Sequence, residues 1–173
     1  ITSWQVMALE SARLGGVQVP DRAFADARTF LANALDLERG CFRYTHDPER
    51  MRGPYSILPG STPAALFALS LLGLDLEDDD LSDAWRFVTS KAPDGYRYTS
   101  DDAFVDRAQG NLYFWYYGSL ACMRRGGATW QRWNAALQET LLGSQRPDGS
   151  WRPISIYARQ YAGDDGGDAS YST

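Results

Sequence analysis

A period of about 55 residues limits what this chain can fold into more than any other feature of its sequence. Phe42-Arg43-Tyr44-Thr45 returns 54 positions later as Tyr96-Arg97-Tyr98-Thr99, and Trp151-Arg152-Pro153 follows after another 55. A glycine or Asp-Gly pair stands just before each: Gly40, Asp94-Gly95 and Asp148-Gly149. A second mark keeps the same rhythm, because helical stretches end at Leu14-Gly15-Gly16, Leu72-Gly73 and Arg125-Gly126-Gly127. Aligning Gly15 on Gly126 pairs Trp4 with Trp115, Leu9 with Leu120 and Arg13 with Arg124. Like units of this length stack side by side and bury one another's apolar faces. The chain therefore reads as one domain, 1–173, with units near 1–55, 56–110 and 111–165.

Each unit carries two helical patterns. The first helices are expected at Thr2–Leu14, Thr62–Leu72 and Leu112–Arg125, each closed by glycine and apolar round most of its circumference. The second helices are expected at Asp21–Leu37, Leu81–Ser90 and Trp130–Leu142. They are amphipathic, with stripes such as Phe24, Ala27, Leu31 and Ala34 or Leu35, and Trp130, Trp133, Leu137 and Leu141. Only the FRYT and YRYT pieces suit short extended segments. The fold class expected is all-α, with buried inner helices and half-exposed outer ones.

Composition narrows the partners. A net charge of −5 repels phosphate backbones, which argues against nucleic acid. Two cysteines, Cys41 and Cys122, and one histidine, His46, are too few for a structural zinc site; whether the thiols pair is open. No apolar run approaches the ~20 residues of a membrane-spanning helix. The chain opens directly in a helical pattern, and Tyr171-Ser172-Thr173 reads as the start of a fourth inner helix, so a piece of a longer chain is expected.

Gln145-Arg146-Pro147-Asp148-Gly149-Ser150-Trp151 resembles the Q-x-x-x-G-x-W motif of squalene–hopene cyclases and related terpenoid cyclases. Asp36-x-x-x-Gly40-x-Phe42 and the Asp94-Gly95-Tyr96 region are degenerate copies. The whole chain is similar to bacterial proteins with prenyltransferase and squalene-oxidase repeats. That resemblance implies an α/α toroid of helical hairpins round a central cavity, of which three hairpins fit here as a partial ring. Gln145, Gly149, Trp151, Phe42 and Tyr96 are then structural: the turn reverses the chain, the Gln amide caps a neighbouring helix and the aromatic ring stacks over the next repeat. An open ring leaves apolar faces uncovered, and self-association is expected.

The candidate site is Asn111–Leu120, with five consecutive rings from Tyr113 to Tyr117 on the third inner helix. Five residues exceed one helical turn, so they cannot share a face. Tyr113 can meet Tyr116 or Tyr117, with Trp115 pointing elsewhere. Candidate ligand-binding residues are Tyr113, Trp115, Tyr116 and Tyr117, with Trp4 and Gln5 from the first inner helix and Asp101 and Asp102 at the cavity mouth. Terpenoid cyclases of the protonating class use D-x-D-D. The nearest run is Glu77-x-Asp79-Asp80, within Asp75–Asp80 in an inner-to-outer loop. Asp79-Asp80-x-x-Asp83 matches D-D-x-x-D in letters, but these acids open a short helix, where they favour the positive dipole end. Neither a zinc triad of the protein-prenyltransferase type nor a Ser–His–Asp set can be assembled. No metal or cofactor is expected. The reading is a ligand- or protein-binding scaffold, non-catalytic as it stands, for an apolar or isoprenoid molecule or a protein. The alternative is part of an isoprenoid cyclase whose acid motif lies outside this chain.

Overall fold

The computed structural model describes residues 1–45, 47, 49, 57–96 and 111–152. Among them the chain forms six helices: α1 (Thr2–Leu14), α2 (Asp21–Ala34), α3 (Ser61–Leu71), α4 (Ser82–Ser90), α5 (Leu112–Arg125) and α6 (Gly127–Leu142). A 3₁₀ turn, Asp79–Leu81, leads into α4. The fold is all-α apart from a minimal antiparallel pair, β1 (Leu35–Asp36) with β2 (Cys41–Phe42), in the register Leu35↔Phe42 and Asp36↔Cys41.

That pair corrects the expected end of α2. The apolar period runs on through Leu35, but the helix stops at Ala34 and the chain doubles back. Gly40 makes the reversal possible, with φ +61° and so little room that a Cβ there would overlap Asp83. Asp36 holds the turn: its carboxylate accepts from Arg39 N at 3.2 Å and from Arg43 Nη2 at 3.0 Å. Arg43 is thus a brace for the turn. At the other end of the chain, α6 begins at Gly127, a full turn before the expected Trp130, because Trp130 N already donates to Gly126 O.

α1 and α3 end alike. Val17 N donates to Ala12 O and Gly16 N to Arg13 O; Leu74 N donates to Leu69 O and Gly73 N to Ser70 O. This is the Schellman closure that satisfies otherwise orphaned carbonyls. α5 ends differently, passing through Gly126 straight into α6.

Packing follows the two helix types. α3 lies against both α1 and α5, while α2, α4 and α6 pack on α1, α3 and α5 respectively. Tyr113, at the start of α5, sits on Gly60, at the start of α3; Arg124, at the end of α5, donates to Ser70 O, at the end of α3. The two helices therefore run parallel. α1 runs the same way, since its Trp4 lies by Tyr113 at the start of α5 and its Glu10 feels the charge of Arg124 at the end. The amphipathic stripes of the second helices face the core: Leu31, Ala34, Trp85, Val88 and Trp133 are buried there, with Phe24, Ala27, Trp130, Leu137 and Leu141 packed at its edge.

One expectation fails for α1. It buries only Ser3 and Val6, and leaves Ile1, Trp4 and Leu14 exposed. α3, by contrast, buries every residue from Thr62 to Ser70.

Candidate functional site

The aromatic row is set in place by its helix start. Asn111 Oδ1 accepts from Phe114 N at 3.0 Å, an N-cap that fixes where the first turn begins and so the rotation of every ring after it. Phe114 then points inward, edge-on to Phe87 and near Trp133. Trp115 is only 2% exposed and packs on Tyr96, 6.2 Å between centroids. Tyr113 and Tyr117, four residues apart, turn together, with centroids 4.8 Å apart. Tyr116 stands edge-on to Tyr117 at 5.1 Å and 85°.

α1 reaches the same place across α3. The Tyr117 hydroxyl donates to Met7 Sδ at 3.7 Å, and the Trp4 indole lies close to the hydroxyls of Tyr113 and Tyr117. Side chains of α1 and α5, which flank α3, thus meet in front of it. Tyr117 is the floor, 1% exposed; Trp4 (61%), Tyr113 (44%), Tyr116 (54%) and Tyr44 stay open to solvent around it. Gly60 lets the Tyr113 ring lie on the start of α3, where any Cβ would overlap it.

Burial is the main electrostatic influence here. It pushes both the Tyr113 and the Tyr117 phenol above the ordinary tyrosine value, and the neighbouring hydroxyls of Tyr44, Tyr113 and Tyr116 push the same way. Both phenols are therefore neutral at pH 7. Each can donate or accept a hydrogen bond, and each ring offers the negative face of its quadrupole.

Of the residues expected in a site, the structure brings together Trp4, Tyr113, Tyr116 and Tyr117. Trp115 is excluded from this face, since its ring is wedged against Tyr96 in the core. Trp4 and Trp115, paired by the glycine alignment, thus occupy unlike places. Gln5 is exposed on α1 and is not among the groups that contact the tyrosines. Asp101 and Asp102 lie outside the described residues, as does His46. Sequence reasoning missed Met7, Tyr44 and Gly60. Met7 follows Trp4 at i+3 and could have been found from that spacing; Tyr44 and Gly60 arrive through the tertiary fold alone.

The motif residues serve structure, though not all as expected. Trp151 Nε1 donates to Leu141 O at 2.8 Å and so caps its own helix α6. Gln145 Nε2 donates to Gly149 O at 2.9 Å, closing the turn that contains it; it does not cap a neighbouring helix. Phe42 N donates to Thr62 Oγ1 at the start of α3, and the Tyr96 ring covers Trp115 near the start of α5. Each of these two turn aromatics thereby touches the first helix of the next unit. Tyr96 also donates through its hydroxyl to Arg152 O at 2.8 Å.

The acidic run lies at the opposite end of the helices, roughly 16 Å away along the eleven residues of α3. Its groups are engaged locally. Asp75 accepts from Glu77 N, Asp78 accepts from Asp80 N to start the 3₁₀ turn, and Asp83 pairs with Arg86. Glu77 takes a two-pronged contact from Arg125 at 2.7 and 2.8 Å, which holds its carboxyl below the usual range. Arg125 in turn lies over the Trp85 ring. An open recess of about 370 Å³ is lined there by Ser70, Leu74, Glu77, Arg124 and Arg125. Arg28 and Arg124 donate to the carbonyls Leu72 O and Ser70 O at the end of α3. Most of these charges thus serve caps, turns and ion pairs at this end of the layer.

Cys41 and Cys122 are both buried free thiols. No helix among the described residues is long and apolar enough to cross a membrane. No family model, curated protein or solved structure matches the chain.

Proposed function

We propose that this chain is a helical-repeat scaffold of the α/α-toroid type whose aromatic face binds an apolar ligand or an apolar segment of a partner protein. The observation that supports it is that Trp4, Tyr113 and Tyr116 hold large exposed rings round a buried tyrosine, supplied by two helices that are not neighbours. Exposed apolar rings gathered in one patch mark interaction surfaces more often than scattered ones do. Of the acidic residues that most resemble a cyclase acid, Glu77 is paired with Arg125 and Asp79 and Asp80 stand in the 3₁₀ turn, all at the far end of the helices from the aromatic face, which favours a binding role over proton donation for this chain.

Farnesol, an uncharged isoprenoid alcohol, tests the reading. Titrating it should shift the tryptophan emission, and Trp4→Phe should remove most of that response while the far-ultraviolet circular dichroism stays unchanged. An identical response in the variant would place binding elsewhere. Incubation with squalene or farnesyl diphosphate should leave both intact; a cyclised or hydrolysed product would replace the scaffold reading with an enzymatic one.

A further inference from the structure

We draw no further inference here: the strongest candidate, the exposed aromatic patch of Trp4, Tyr113 and Tyr116 on α1 and α5, belongs to the site already described, and nothing in the structure shows what covers it.

Discussion

α1 and α3 close with the same pair of backbone bonds and yet live in different surroundings. α3 has α1 on one side and α5 on the other, with α4 behind it, and buries an unbroken run from Thr62 to Ser70. Among the described residues α1 has α3 and α2 beside it and no second helix packed as α5 is on α3, and Leu14 at its end is 75% exposed. What separates them is the number of neighbours, not the helix-forming quality of either segment. Burial is a property of the position in the layer. The helix with an open side is also the one that brings Trp4 to the aromatic face.

The largest expected effect tests that contrast directly. Leu66→Ala, at a fully buried position of α3, should cost about 2–5 kcal/mol in urea unfolding, because the layer on both sides leaves little room to collapse into the cavity. Leu14→Ala in α1 should stay within about 0.5 kcal/mol. Similar losses at the two sites would mean that α1 is covered in solution and the contrast is false.

A smaller effect should appear in alkali. Burial pushes the Cys122 thiol up to about 12 from 9.0, so the folded state favours its neutral form. The stability it contributes is complete below pH 9 and falls as pH rises towards 12, by roughly 1.4 kcal/mol per unit. Tyr117 adds a loss of the same sign once pH passes the ordinary tyrosine value of about 10. Urea midpoints measured from pH 8 to 11 should therefore decline, and Cys122→Ala should flatten the first part of that decline. A Cys122→Ala profile parallel to the parent would show that the thiol is not buried as described.

Smaller still is the role of Arg28, which reaches from α2 to Leu72 O, the carbonyl just past α3, at 2.8 Å. Arg28→Met keeps the stem and removes the charged donor, and should cost roughly 1.5 kcal/mol. Hydrogen exchange at the end of α3 should quicken more than at the end of α1. Equal quickening would sever the proposed link between α3's extra partners and its stability.

Much of the fold can be read in the residues. α1 and α5 begin and end where apolar spacing and glycine put them, at Thr2–Leu14 and Leu112–Arg125. The misreadings have physical sources. Leu35 continues the apolar stripe of α2, but Asp36, Arg43 and Gly40 together favour a reversal that a helical period cannot register. Gly127 looks like a stop after α5, yet it starts α6, because a backbone bond from Trp130 to Gly126 needs no side chain. Gln145 was expected to reach another helix, and the turn round Gly149 lies closer.

The aromatic row shows the same division most clearly. Five rings in succession on a helix must point to different sides, and the spacing alone set Tyr113 with Tyr116 or Tyr117 and turned Trp115 away; helix geometry is local, so sequence determines it. Which of those sides is covered was decided by the tertiary structure. Tyr96, brought in by a turn after α4, seals Trp115, whereas Gly60, Met7, Trp4 and Tyr44 come from three other segments to frame Tyr117. Contacts between residues as much as 110 positions apart depend on how the helices stack, and no local pattern carries that information.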